Sequence, residues 1–209
     1  MKVESLEKFR ELEKEIVNCK KCPLYLTRKN AVPGEGDLRS PIMFIGEAPG
    51  RNEDIEGRPF VGAAGRLLDS LLESIGLRRE KVYITNIVKC RPPNNRDPRP
   101  EEIKACSPYL DRQIAYIKPK LIVTLGRHST KYLLEKNRFA FRSILKIHGR
   151  IYSIKVGKSV IKLIPTLHPA AALYNPKLLK ILKEDFNKIK DEIERISRGK
   201  EKVGLEKFL

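Results

Sequence analysis

The feature that most constrains this chain is an alternation. Short apolar runs rich in β-branched residues take turns with longer stretches in which apolar residues recur every three or four positions. PIMFIG (41–46), VYITNIVK (82–89) and KLIVTLG (120–126) are the runs, and their length and flanking turn residues predict buried strands. The helical period covers about 4–18, 63–76, 100–117, 128–136 and 176–196. Leu6, Phe9 and Ile16 share one face of the first stretch, Gly76 stops the second, and Pro100 with Glu101 and Glu102 opens the third. IYSIKV and SVIKLIP read as a hairpin around Gly157 and Lys158, while 138–150 has no clear period. Strands that alternate with helices predict an α/β fold with a mostly parallel sheet.

Such sheets bind ligands beyond the C-terminal ends of their strands. Three loops fall there, 46–62, 86–100 and 166–176, and all are rich in Gly, Pro, Asn or His. The first, within GEAPGRNEDIEGRPFVGAAGRLLD, can bring backbone N–H groups close to a ligand and carries one aromatic, Phe60. A ring tucked into the core is the alternative. The second follows Asn86, whose amide sits late in a buried strand and needs partners. Its four prolines exclude regular structure, and Asn94 and Asn95 stand beside Arg91, Arg96 and Arg99, a set that suits phosphate contacts or a solvated surface. The third, PTLHPAAALYNP, puts His168 at a strand end in a loop, where a functional histidine is more common than in a core.

Lys and Arg number 43 against 26 Asp and Glu, a formal charge of +17 that favours a polyanionic partner, with solubility as the plainer reading. No apolar run reaches the roughly 18 residues that span a membrane. The opening MKVESLEKFRELEKEIVNC is amphipathic and unlike a signal peptide, so an intracellular, cytoplasmic protein is expected. In that compartment Cys19, Cys22, Cys90 and Cys106 point to metal or redox chemistry more than to disulfides. A C-x2-C pair ends the first helix and the other two flank the proline loop, which fits zinc or an iron–sulfur cluster; Cys22-Pro23 leans toward iron. Two Met, a single Gln (Gln113) and a charged third of the chain hint at heat adaptation.

Together, GEAPG with GRPFVG, TNIVKCRPPNNR, LHPAAALYNP and cysteines at C-x2-C and C-x15-C resemble the family 4 uracil-DNA glycosylases, over about residues 17 to 190. The resemblance implies a three-layer αβα sandwich; a monomer with one domain over 1–197 is expected, and RGKEKVGLEKFL reads as a flexible tail over 198–209. It implies a [4Fe–4S] cluster on Cys19, Cys22, Cys90 and Cys106. The implied activity flips uracil out of DNA and hydrolyses its N-glycosidic bond, leaving an abasic site in an uncut strand. Carried over by motif, Phe60 stacks on uracil, Asn86 reads its edge and His168 faces O2. Asn95 positions the attacking water, and Glu47 with the Ala48 backbone lines the pocket, Glu47 being counted with His168 and Asn95 in the catalytic set. Glu53 crowds C5 and rejects thymine. Arg91, Arg96 and Arg99 meet DNA, and Leu173 or Tyr174 is the wedge that fills the gap of the flipped base. The family often has Gly at Ala48, and the better-known first family has an Asp where this chain has Ala48 and Pro49, so water must be activated differently.

A zinc-dependent DNA-binding module would explain the charge and the cysteines but not Asn86, Phe60 and His168 together. Asn86 and the first motif argue against a related glycosylase of broader specificity, and the basic charge argues against an electron carrier. Finally, Leu205, Phe208 and Leu209 resemble the motif by which repair proteins dock on the sliding clamp, with Lys202 where that motif begins with Gln.

Overall fold

A computed structural model of the chain describes residues 3–157 and 159–205, with side chains for 5–157 and 159–198. The described residues form one six-stranded sheet. Strands β2 (Ile42–Gly46), β3 (Tyr83–Asn86), β4 (Leu121–Leu125) and β6 (Ser159–Thr166) run parallel in the middle. Two strands pair antiparallel at the edges, β1 (Glu35–Gly36) and β5 (Tyr152–Val156), giving the order β1-β3-β2-β4-β6-β5.

Successive side chains of a strand point to opposite faces, so a strand buried on both sides must be apolar throughout. β2 obeys this and builds two cores. Met43 and Ile45 pack with Phe9, Leu12 and Ile16 of α1 (Val3–Val17), Leu110 and Ile114 of α4 (Pro100–Ile117) and Leu133 of α5 (Arg127–Lys136). Ile42 and Phe44 pack with Leu68, Leu71 and Leu72 of α3 (Ala63–Ser74) and Leu182, Phe186 and Ile189 of α8 (Pro176–Leu205). Each fully buried side chain of this size contributes about 1.5–3 kcal/mol over leaving it in water. The result is the expected αβα sandwich.

Several elements differ from the expectations. β3 ends at Asn86 rather than 89, because the N–H groups of Ile87 and Val88 turn across β2 to the carbonyls of Gly46 (3.1 Å) and Glu47 (2.9 Å). Short helices α2 (Arg51–Glu56), α6 (Ile144–Ile147) and α7 (Pro169–Ala172) lie in stretches read as loop or as ambiguous. α8 continues to Leu205, past the 196 limit of its apolar period. Of the tail residues assigned to a clamp, Phe208 and Leu209 lie outside the described residues, and Leu205 is described only as the last residue of α8. Among the described residues no helix is long and apolar enough to cross a membrane.

Candidate active site

β2 is followed in the chain by β3 on one side and β4 on the other, so the C-terminal end of β2 is a topological switch point, where open α/β sheets bind ligands. Gly46 ends β2 and pairs in register with Asn86, the last residue of β3. A Cβ at Gly46 would overlap Asn86 Oδ1 and stand 2.6 Å from Phe60 Cζ, so only glycine lets these two groups converge there. Asn86 is 2% exposed, and its Oδ1 is the one buried side-chain polar atom among the described residues with no hydrogen-bond partner. Leaving such an acceptor unpaired costs about 1–3 kcal/mol, a cost that a ligand donor would remove.

Phe60 is buried, and its ring stacks on that of His168 with centroids 5.6 Å apart and planes at 26°. Its loop is shaped by Glu53 of α2. Glu53 Oε1 accepts the N–H groups of Val61 and Gly62, both at 2.9 Å, and Oε2 accepts that of Gly50 at 3.0 Å. Both carboxylate oxygens are therefore engaged by backbone, and Glu53 acts on the pocket by fixing the loop.

His168 caps α7 just beyond β6. Its Nδ1 accepts the Ala170 N–H at 3.2 Å, which leaves the ring proton of the neutral form on Nε2. Burial pulls its pKa down to about 4, against the opposing pull of Glu53, so the ring is neutral at ordinary pH. Gly126, just past β4, has φ +95°, and a Cβ there would come 3.1 Å from His168 Cβ. The strand beneath is tied to α8, since Thr166 Oγ1 donates to the fully buried Asp185 at 2.7 Å and His148 Nδ1 lies 3.0 Å from both Asp185 oxygens.

Glu47 directly follows Gly46, the last residue of β2. Its carboxylate lies 3.7 Å from His128 Nε2, which is 3.8 Å from Asp97, and Asp97 pairs with Arg127. Burial pushes the Glu47 carboxyl up to about 7, helped by the nearby Asp97 charge and opposed by Arg127. Burial lowers the His128 pKa, with Arg127 adding to the effect. Asp97, Arg127 and His128 escaped the sequence reading. The signal for Arg127 and His128 was present in GRHS directly after a strand, but α5 begins at once and leaves no loop to notice.

Asn95 lies on the exposed turn Pro93–Asn95, where Asn94 and Asn95 both have positive φ. Its Oδ1 accepts Arg91 Nε at 2.7 Å. Arg99 is exposed, as a phosphate contact requires. Arg96 is not a free cation, because it makes two bonds, of 2.6 and 2.9 Å, to the buried carboxylate of Glu102, which also accepts the Arg99 N–H. Of the two wedge candidates, Leu173 is half-buried and Tyr174 is 93% exposed. Ala48, half-buried, packs against the α1–α4 core.

The four cysteines line one cavity together with Ile16, Tyr25 and Tyr109. Arg28 Nη1 donates to Cys90 Sγ at 2.8 Å and Lys89 N–H to Cys106 Sγ at 3.2 Å. Burial raises the Cys22 and Cys90 thiols and pushes Cys106 up to about 12. Lys89 is a further residue that sequence alone concealed. It is fully buried, and its Nζ donates to Thr85 Oγ1 (2.6 Å), the Asn86 carbonyl (2.7 Å) and Gln113 Oε1 (2.6 Å). Burial brings its pKa down to about 7. One residue thus spans from the cysteine cavity to the strand end that carries Asn86.

Known proteins are similar to this chain over most of its length. A family model described as the uracil DNA glycosylase superfamily matches residues 33–194. A type-4 uracil-DNA glycosylase of Sulfurisphaera tokodaii is 61% identical over 190 residues, 90% of this chain and 85% of the relative. One of Saccharolobus solfataricus is 59% identical over 180 residues, 86% of this chain and 83% of the relative. One of Archaeoglobus fulgidus is 48% identical over 184 residues, 88% and 92% of the two chains.

Proposed function

The chain belongs to the uracil DNA glycosylase superfamily, and from that premise we propose how its residues excise uracil from DNA and leave the strand uncut. Uracil excision in DNA repair is the activity; the assignment of roles is our reading. The observation that carries it is the unpaired Oδ1 of Asn86 at the switch point. Uracil offers a donor at N3 and an acceptor at O4, and an amide answers both, with Oδ1 accepting N3–H and Nδ2 donating to O4. Cytosine presents the reverse pattern and would leave buried groups unpaired. Because a paired base is out of reach in the duplex, the nucleotide must flip out, and stacking on Phe60 offsets about 1–3 kcal/mol of the lost stacking.

As the glycosidic bond breaks, negative charge collects on the uracil carbonyls. The neutral His168 donates from Nε2 to O2 and stabilises that charge as it forms. Glu47 and Asn95 hold the water that attacks the electron-poor sugar carbon. No lysine is assigned as a nucleophile, so the product is an abasic site in an intact strand. The test is an oligonucleotide with one uracil, incubated and split into two portions. Cleavage only in the portion treated with hot alkali is expected; cleavage without alkali would overturn the monofunctional reading, and none in either would overturn the activity.

Ionised Glu47 is the form that orients water, and its pKa is pushed up to about 7. The rate of bond cleavage should therefore rise with pH through about 7, and Glu47→Gln should be slow and flat across that range. His168, at about 4, adds no limb there. Stability runs the other way. A raised carboxylate pKa favours the native state below the ordinary value of 4.5, and that contribution is lost as pH rises through about 7. Glu47→Gln should thus melt higher than wild type at pH 8, which calorimetry can check.

The cysteine cavity fits a [4Fe–4S] cluster better than zinc. Among the described residues no three of the sulfurs come within 4.8 Å of one another. A zinc ion with bonds of about 2.3 Å would hold them roughly 3.8 Å apart. When bound, the cluster ties the segment after α1 to the proline loop through Cys19, Cys22, Cys90 and Cys106. Gently purified protein should carry about four irons and four inorganic sulfides per chain. Stoichiometric zinc without sulfide would contradict this.

DNA containing uracil is the partner, held by Arg91, Arg99 and the general basic surface in a salt-dependent way. The exposure of Tyr174 favours it over Leu173 as the wedge. Tyr174→Ala should slow excision from duplex DNA roughly tenfold while leaving single strands nearly unaffected. Equal losses on both substrates would reject the wedge. Docking of Leu205, Phe208 and Leu209 on a sliding clamp completes our reading of partners.

A further inference from the structure

We propose that Arg79, which lies outside the pocket, is the positioning residue that holds Phe60 in the conformation needed to stack on a base. The proposal rests on Phe60 as the stacking ring. Phe60 has φ +52°, in the left-handed region that a bulky side chain rarely adopts, so the surroundings must impose it.

Two opposite charges do so from the two sides of the residue. Arg79 Nη1 donates to the Phe60 carbonyl at 2.9 Å and Nη2 donates to the Pro59 carbonyl. Just beyond, the Glu53 carboxylate takes the N–H groups of Val61 and Gly62. A cation therefore pins the carbonyls at and before Phe60, and an anion pins the amides after it. Arg79 is itself fixed, with Nε 2.5 Å from Glu35 Oε1 and Nη1 3.0 Å from Asp69 Oδ1 at 14% side-chain exposure. Helix α3 closes the remaining side, since a Cβ on Gly65 would overlap the Phe60 carbonyl oxygen.

The fork matters as well as the charge. A planar guanidinium reaches two adjacent carbonyls and two carboxylates at once, whereas a lysine ammonium is a point charge on a flexible stem. Arg79 opens the short turn Arg79–Lys81 that leads into β3, and it acts on the base only through Phe60.

A double-mutant cycle tests this. The readout is the Kd for a single-stranded oligonucleotide carrying 2′-fluoro-deoxyuridine, which is bound but not cleaved, with the same strand carrying thymine as the control for backbone affinity. Arg79→Met and Phe60→Leu should each weaken the uracil strand by about 5- to 150-fold, the range set by losing one base–aromatic stack. The thymine strand should bind as before. In the Phe60→Leu background Arg79→Met should add less than about twofold, because effects that share one route do not multiply. If Arg79→Met fails to fold, Arg79→Lys keeps the charge toward Glu35 and Asp69 and should show the same pattern. A loss in Phe60→Leu with none in the Arg79 variant overturns the clamp alone, as do losses that multiply. No loss in Phe60→Leu overturns the stacking role itself.

Discussion

His168→Ala is expected to slow the release of uracil in a single turnover by about 10²–10³, the usual loss of one preorganised donor to a developing oxyanion. The effect follows from the tautomer. Because Nδ1 accepts the Ala170 N–H, the proton of the neutral ring stands on Nε2. Burial keeps the ring neutral down to about pH 4, so the donor is in place before the reaction begins and needs no proton from solvent. The donor contributes most when charge has built up on O2, so the loss should fall on the bond-breaking step and spare substrate affinity. Single-turnover quench experiments at saturating enzyme measure that step directly. A rate within a few-fold of wild type would remove His168 from the mechanism.

Asn86→Asp is expected to cost roughly 10³-fold or more in uracil excision, because a site built to pair a polar edge rejects the mismatched pattern by large factors. Asn86 is almost fully buried, so no water can make up for the lost pairing. An ionised carboxylate would repel O4 and offer no donor. That carboxylate can still accept from the N4–H of cytosine. A weak cytosine-excising activity should therefore appear as uracil excision falls. Rates on oligonucleotides that differ only in that base check both halves, and retention of the wild-type uracil rate would contradict the role of Asn86.

Much of this architecture was legible because one pattern sets both the sheet and the site. The apolar runs that become β2 and β4 must be buried on both faces, and a parallel sheet then gathers their C-terminal ends. Asn86 and His168 follow from that rule as strand-end residues without knowledge of any contact. α4 was legible end to end, since Pro100 and the acids after it mark its start. What escaped depends on tertiary surroundings. Lys89 lies in an apolar run, and nothing local says that its ammonium finds three acceptors inside. The sequence reading gives Glu53 to C5 of the base and Arg96 to DNA, and the backbone and carboxylate partners that engage them come into view only in the fold. Arg127 and His128 escaped because the turn after β4 is too short to read as a loop, and Asp97 because its partners lie on a different segment. The continuation of α8 past Ile196 escaped because periodicity detects only an apolar stripe, and the sequence there is charged.

The most direct test of the central claim is a crystal structure of the protein with uracil and abasic DNA. Asn86 Oδ1, unpaired without ligand, should lie about 2.7–3.2 Å from uracil N3, with Phe60 against the ring and His168 Nε2 at hydrogen-bond distance from O2. Uracil bound away from the end of β2, or an Asn86 Oδ1 still without a donor in the complex, would contradict the account.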